Sequence, residues 1–353
     1  MCGIIGITSK IFRSIESIQK LNNIQYHRGP DSNGIYQDID SNVSLAMTRL
    51  EIIDIDGGNQ PFSINNDSYV IMLNGEIYNN FELRNDLEKE GFVFNTDHAE
   101  VEVLGALYIK YGEDLLEKLN GMFSLVIYDK QKQQIFIARD RYGIKPLYYY
   151  HDNNNFFFSS ELKVLKEGID KNLEINDQSV VDYFTFGFVN NPNTIYKKIC
   201  QLSPGHWLKF SVNNYMLEIV RWWKQSFTKN YSISKKDWPI VIREGLKDAV
   251  SRWATSDVPI SYLLSGGIDS SALVVLAAQM SSEKLRTYTL GFEGHAEKQW
   301  NELDIARDVA KTINSDHTEI VLKPTHLLDD LETMVYHLDQ PYGGGLPSWE
   351  IFK

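Results

Sequence analysis

Apolar positions in the first 160 residues fall in short alternating or continuous runs, each bounded by Gly, Asn or Asp. This pattern predicts strands over Gly3–Thr8, Val43–Met47, Tyr69–Leu73, Met122–Tyr128, Gln134–Arg139, Leu147–Tyr150 and Phe156–Ser159. Two stretches break the strand rhythm. Phe81, Leu83 and Leu87 mark a helix before the stop at Gly91, and Val101, Val103, Leu104, Leu107 and Tyr108 mark another that ends near Gly112. Strands and helices are grouped rather than alternating, which predicts a layered α+β domain.

From about residue 240 the period changes. Ile242, Leu246, Ala249, Val250 and Trp253 recur at helical spacing, and Pro259–Leu264 reads as a buried strand. A glycine turn leads to a helix through Ala272, Leu273, Leu276 and Met280. Strand Thr287–Leu290, helix Leu303–Ile313, strand His317–Leu322 and helix His326–Leu338 follow. The βαβαβα order predicts a parallel sheet. Asn190-Asn191-Pro192-Asn193 and Ser203-Pro204-Gly205 put the break between residues 190 and 235, giving domains over 1–190 and 236–353 with connecting strands over 191–235. Three parallel strands precede Gly343–Lys353, against about five or six in common doubly wound sheets, so the second domain is expected to be incomplete.

Length agrees with two domains: 353 residues at roughly 100–200 each. The balance of 35 Lys plus Arg against 47 Asp plus Glu, a net −12, argues against nucleic-acid or anionic-membrane binding by phosphate neutralisation. Two cysteines, Cys2 and Cys200, cannot build a disulfide framework, and the longest apolar run, Ala272–Ala278, is far below the roughly 20 residues of a membrane span. A soluble, cytoplasmic protein is expected.

Four segments carry candidate chemistry. Trimming Met1 would leave Cys2 with a free α-amino group beside its thiol, able to serve as general base; the alternative is an ordinary buried small residue. Asn74-Gly75-Glu76 offers an amide and an N–H for an oxyanion hole, or a tight hairpin turn. Arg49 is either a clamp for a carboxylate or a structural charge. Ser265-Gly266-Gly267-Ile268-Asp269-Ser270-Ser271, between a strand and a helix, suits a phosphate, with Ser265 and Ser270 as donors and Asp269 toward Mg²⁺; the alternative is a plain βα turn with serine caps. No Gly-x4-Gly-Lys-Ser/Thr loop and no His-Glu-x-x-His spacing occurs.

Together, Cys2-Gly3-Ile4, His27-Arg28-Gly29-Pro30-Asp31, Arg49 to Asp54, Asn74 to Asn79, Ala138 to Tyr148, Leu202 to His206 and Ser265 to Ser271 resemble the glutamine-hydrolysing asparagine synthetase family over essentially the whole chain. The resemblance implies an Ntn-hydrolase αββα class II glutamine amidotransferase domain followed by part of a PP-loop ATP pyrophosphatase domain. It implies Cys2 as nucleophile and Asn74 and Gly75 as oxyanion donors. Arg49, Ile52, Ile53, Glu76 and Glu100 would bind glutamine, with Glu100 in the place of the family's aspartate.

In the second domain the resemblance implies ATP contacts at Leu263, Leu264, Ser265, Gly266, Gly267, Asp269, Ser270 and Leu290, with Mg²⁺ at Asp269. Aspartate would be amidated through a β-aspartyl-AMP intermediate, ATP giving AMP and pyrophosphate, with ammonia arriving through an internal tunnel. Related proteins amidate other carboxylates, such as sugar acids or natural-product intermediates. A glutaminase carrying a non-catalytic nucleotide-binding module is a further alternative, and a homodimer is the assembly to test. The family's later Ser-Gly-Glu-Gly segment does not occur, so the isolated chain is expected to hydrolyse glutamine and to synthesise asparagine poorly or not at all.

Overall fold

The computed structural model describes residues 2–10, 13–169, 172–228, 232–293, 301–322, 330–344 and 349. The chain folds as two compact units, Met1–Gln225 with Asp339–Tyr342, and Ser226–Leu338 with Gly343–Lys353.

Among its described residues the first unit has twelve strands: β1 (Gly3–Ser9), β2 (Ser32–Asp38), β3 (Val43–Arg49), β4 (Phe62–Ile64), β5 (Tyr69–Ile77), β6 (Gly121–Asp129), β7 (Gln134–Arg139), β8 (Tyr148–Asp152), β9 (Asn155–Ser159), β10 (Ile199–Gln201), β11 (His206–Ser211) and β12 (Met216–Arg221). Its helices are α1 (Ile15–Ile24), α2 (Asn80–Lys89), α3 (Glu100–Tyr111), α4 (Leu115–Lys118), α5 (Leu162–Gly168) and α6 (Asp177–Phe186). The strands form two six-stranded antiparallel sheets, ordered β10-β8-β9-β1-β3-β2 and β12-β11-β7-β6-β5-β4.

One apolar layer joins the sheets. Ile4, Val43, Leu45, Met47, Phe156 and Phe158 of the first meet Val70, Met72, Val126, Ile137 and Phe210 of the second, all fully buried. On the outer faces, Val103, Leu104 and Leu107 of α3 cover β5 and β6, while Ile18 and Leu21 of α1 and Leu162 and Leu165 of α5 cover β1 and β9. The result is the expected αββα sandwich, in which each sheet is apolar on both faces and β1 reads as a continuous buried run rather than an alternation.

The second unit contains a three-stranded parallel sheet, β13 (Ser261–Leu263), β14 (Arg286–Phe292) and β15 (Asp316–Leu322), with α7 (Trp238–Trp253), α8 (Ile268–Met280), α9 (Leu303–Thr312) and α10 (Leu331–Leu338). Its core centres on Leu264, Val274, Ala277, Ala306 and Ala310. The expected start of the last helix at His326 lies outside the described residues, as does most of Gly345–Lys353. Among the described residues no helix is long and apolar enough to cross a membrane.

Several elements differ from the sequence-based expectation. β2, β4, α1, α4, α5 and α6 had no predicted counterpart, and Asn74-Gly75 does not turn a hairpin: β5 runs on through it to Ile77. Residues 191–225 contribute β10 to one sheet and β11 and β12 to the other.

Gly6 is dictated by packing. A Cβ there would lie 1.9 Å from Cζ of the Phe158 ring in the layer between the sheets. Gly6→Ala is expected to lower stability by about 1–3 kcal/mol, read as a lower urea midpoint with an unchanged m-value.

Candidate active site

β1 begins one residue after Cys2, so the first strand carries the thiol at its end. Cys2 lines a cavity of about 270 Å³ together with Arg49, Ile52, Ile53, Asn74, Gly75, Glu76 and Glu100, the full set expected around the first-domain chemistry. Gln60 and Lys145, not among the expected residues, line it too. This volume falls below the roughly 300–1,000 Å³ of drug-sized ligand clefts and suits a small metabolite.

The edge of β5 forms one wall. Leu73 N–H donates to Gln60 Oε1 at 2.6 Å, and Ile77 N–H donates to Glu100 Oε1 at 2.5 Å. Gly75 lies midway, and the alternation of a strand turns its N–H to the same edge. Its cross-strand partner Phe123 is engaged elsewhere: Phe123 N–H donates to Asp140 Oδ2 at 3.2 Å, and its carbonyl accepts from Asp140 N–H at 2.9 Å. β4 pairs only as far as Ile71, so no strand covers this edge at Gly75 among the described residues. The Gly75 N–H therefore faces the cavity. A Cβ at Gly75 would meet the Met122 carbonyl at 2.1 Å, so the position demands glycine. The adjacent Asn74 amide is fully buried; its Nδ2 reaches Ser160 Oγ at 3.5 Å, and its Oδ1 has no hydrogen-bond partner among the described residues.

Charge in the cavity is unusually costly and is concentrated where binding would use it. Burial pushes the Glu76 carboxyl up to about 7, against the pull of the Lys145 ammonium. Burial, and after it the neighbouring Glu76, raise the Glu100 carboxyl well above its ordinary value. Burial lowers the Lys145 ammonium, and Glu76 partly restores it. Lys145 is presented by a turn built on buried Asp140, whose carboxylate accepts from the N–H groups of Tyr142, Ile144 and Lys145 at 3.0–3.1 Å.

The Cys2 thiol is pushed up by burial, and it donates to the Leu50 carbonyl at 3.8 Å. It therefore needs a nearby base to react at neutral pH. Behind it, Arg28 Nε donates to the Cys2 carbonyl at 2.9 Å, and Arg28 Nη1 lies 3.3 Å from Glu161 Oε1, which also meets His27 Nε2 at 2.8 Å. His27 and Arg28 belong to the quoted family motif, but Glu161 lies 133 residues away from Arg28 and only the fold brings it there.

Arg49 is 4% exposed and spends most of its fork on the loop that follows it: Nη1 donates to Ile55 O at 3.0 Å, and Nη2 to Ile53 O and Asp54 O at 2.9 and 2.7 Å. It shapes the wall carrying Ile52 and Ile53 while adding positive charge beneath it.

In the second unit, Leu263 ends β13, and Ser265-Gly266-Gly267 leads into α8. Leu264 N–H donates to Tyr288 O at 2.8 Å, and Leu290 lies on the neighbouring strand β14. Ser265 Oγ and Ser270 Oγ are 2.9 Å apart, and Gly267 N–H donates to Ser265 Oγ at 3.2 Å. Gly266 has φ 85°, and a Cβ there would meet Glu302 O at 2.9 Å. The buried Ser271 Oγ has no partner among the described residues. A tight turn at the N-terminus of a 13-residue helix, with hydroxyls drawn together, suits a phosphate. Asp269 is in the first turn of α8, but no group of three or more His, Cys, Asp or Glu side chains gathers for a metal among the described residues.

Comparison with known proteins agrees with this division. Residues 1–223 match the family described as glutamine amidotransferase domain, and residues 241–349 match asparagine synthase. Asparagine synthetase [glutamine-hydrolyzing] 1 of Bacillus subtilis (strain 168) is 35% identical over 365 residues, covering 100% of this chain and 55% of the relative. A putative asparagine synthetase [glutamine-hydrolyzing] 2 of Methanocaldococcus jannaschii is 35% identical over 381 residues, covering 99% and 71%. The chain thus spans a little over half the length of the Bacillus relative. A solved glutamine phosphoribosylpyrophosphate amidotransferase from B. subtilis, complexed with ADP and GMP, aligns at 14% identity and TM-score 0.47 over 91% of this chain and 81% of that one.

Lysine at position 49 would keep the charge but lose the planar fork that serves three carbonyls. Arg49→Lys is expected to cost about 1–3 kcal/mol in urea unfolding and to speed limited proteolysis within residues 50–58.

Proposed function

The chain belongs to the asparagine synthetase family that joins a glutamine amidotransferase domain to an asparagine synthase domain, and on that premise we propose that it hydrolyses glutamine at Cys2 and uses the ammonia to amidate aspartate. The observation that carries the glutamine half is the juxtaposition of the Cys2 thiol, the outward-turned Gly75 N–H and the Glu76–Glu100 pair in one small cavity.

In this reading Met1 is removed, and the freed α-amino group takes the thiol proton as Sγ attacks the side-chain amide carbon of glutamine. The oxyanion accepts from Gly75 N–H and the Asn74 amide, whose donors are already in place before substrate arrives. Collapse of the intermediate breaks the C–N bond, the α-ammonium returns its proton to the leaving nitrogen, and a glutamyl thioester remains. Water then attacks that thioester and releases glutamate. Glu76 and Glu100 receive the substrate's α-ammonium, while Arg49 and the Ile52–Ile53 backbone receive its α-carboxylate. Burial of the two carboxyls beside each other supports this role, because a substrate cation between them would offset the cost of charging them.

In the synthetase half, Leu263, Leu264, Ser265, Gly266, Gly267, Asp269, Ser270 and Leu290 surround ATP, the loop receiving the phosphates. Mg²⁺ bound with the nucleotide would shield phosphate charge, with Asp269 supplying a carboxylate oxygen. The aspartate β-carboxylate attacks the α-phosphate and expels pyrophosphate; ammonia displaces AMP from the resulting β-aspartyl-AMP. The amidotransferase domain is proposed over 1–190, connecting strands over 191–235, and the synthetase part over 236–353. The cytoplasm is the proposed location, and a homodimer the proposed assembly.

The test is ammonia release from glutamine by the chain and by Cys2→Ala. The variant should keep its cooperative unfolding and lose activity by at least about 10³-fold; equal turnover would remove Cys2 from the mechanism. Aspartate with glutamine and Mg-ATP should give asparagine, AMP and pyrophosphate, and ADP in place of AMP would overturn adenylation.

The Glu76 carboxyl, at about 7, gives a second expectation. Below that pH it is protonated and cannot pair with the substrate ammonium, so KM for glutamine should rise about ten-fold between pH 8 and pH 6. In Glu76→Gln, KM should be high and flat across this window; a parent KM independent of pH would dismiss Glu76 as the ammonium partner.

A further inference from the structure

The strip that holds Cys2 from behind does not end at Glu161. Lys163 Nζ lies 2.7 Å from Glu161 Oε2 and 3.9 Å from Asp339 Oδ1. The Asp339 carboxylate also accepts both leading N–H groups of α5: Leu162 N–H bonds to Oδ2, and Lys163 N–H bonds to Oδ1 at 2.8 Å. These donors have no intrahelical acceptor, and the N-cap residue Glu161 does not cap them with its own side chain. Asp339 belongs to the span that matches asparagine synthase, yet Asp339–Tyr342 packs within the first unit. Ile195 N–H donates to Gln340 Oε1 at 3.2 Å, and Tyr342 bridges Phe188.

Asp339 directly follows the end of α10 with φ 65°, the left-handed conformation common just after a helix and tolerated by aspartate. The start of α5 is also where the reacting groups are anchored. Ser160 Oγ accepts from Ile4 N–H at 3.0 Å and meets Asn74 Nδ2 at 3.5 Å, while the next residue, Glu161, grips Arg28, which in turn donates to the Cys2 carbonyl at 2.9 Å. A shift of the Ser160–Glu161 step would therefore move the nucleophile and an oxyanion donor together.

We infer that Asp339 is a positioning residue for glutamine hydrolysis, acting through the α5 N-terminus and the Lys163–Glu161–Arg28 chain on Cys2 and Asn74. The inference rests on the glutamine-hydrolysing reading of Cys2. The substrate-binding groups are anchored elsewhere, Arg49 on the carbonyls of its own loop and Glu100 on the Ile77 N–H, so the effect belongs to kcat rather than to substrate binding.

The test uses the full chain with glutamine and no ATP. Asp339→Ala and Lys163→Met should each lower kcat by about five-fold or more, with KM within about two-fold of the parent. The double variant should be no worse than the weaker single variant, because both interrupt one chain. Asp339→Asn keeps an acceptor for the two N–H groups and should recover part of the lost kcat, with cooperative urea unfolding throughout. Asp339→Ala with kcat within about two-fold of the parent, a change in KM alone, or effects that multiply in the double variant would each overturn the role. A parent chain that releases no Cys2-dependent ammonia overturns the hydrolytic reading and the positioning role with it. A parent that turns over while Asp339→Ala is silent overturns the positioning role alone.

Discussion

The face-to-face packing of the two six-stranded sheets is the constraint on which the first site depends. Ile4 of β1 and Met72 of β5 belong to the same buried layer, which locks the two strands in depth and in register. Cys2 precedes β1 by one residue and Asn74-Gly75 lies two residues beyond Met72, so no flexible linker separates the packed core from these cavity-lining groups. A one-residue slip of either strand would turn its inward side chains outward and remove thiol or amide from the cavity. The absence of a Cβ at Gly6 lets the Phe158 ring close this layer; stability and alignment come from the same contacts.

Around that fixed frame the polar groups are arranged at some cost to stability. Two carboxylates, a lysine and an arginine line a cavity of about 270 Å³, and burial disfavours the charge on Glu76, Glu100 and Lys145 alike. Isolated buried charges would not persist, so each is tied to a backbone element that is itself hydrogen-bonded. Glu100 opens α3 and bonds to β5, Lys145 sits on the turn organised by Asp140, and Arg49 holds the loop after β3. Cys2 is set apart by the Arg28 bond to its carbonyl, which fixes its backbone while leaving the thiol facing the cavity.

Much of this was legible in the sequence where burial is continuous. β1, β3, β5, β6, β7, β8 and β9 announce themselves because their apolar runs are long enough to exceed chance, and the βαβαβα rhythm announces the parallel sheet. β2 and β4 escaped notice because edge strands are half-buried and carry a diluted pattern, and α5 because seven residues give barely two helical periods. Asn74-Gly75 shows the limit of local reading. The dipeptide favours a turn, but pairing of Gly75 with Phe123 and of Ile77 with Gly121 extends the strand through it. Arg49 reads equally as clamp or scaffold, and only the three loop carbonyls reveal how much of its fork is already committed. Gln60 and Glu161 carry no sequence signal at all, since each acts on a residue that folding brings near.

Among the described residues, the β5 edge leaves a single backbone donor open to the cavity. Alternate N–H groups on one edge recur about 6.8 Å apart, twice the rise per residue of an antiparallel strand. Those of Leu73 and Ile77 are plugged by the side chains of Gln60 and Glu100, which leaves the middle one, Gly75, facing the cavity. A carbonyl oxygen entering beside Cys2 therefore meets one open donor flanked by two closed ones. The same geometry ties Glu100 to the strand edge as well as to the buried charge, because the carboxyl that stops the edge at Ile77 is also the one buried beside Glu76. Shortening that side chain would free the Ile77 N–H and remove a buried carboxyl together, so the two features of the wall cannot be varied separately.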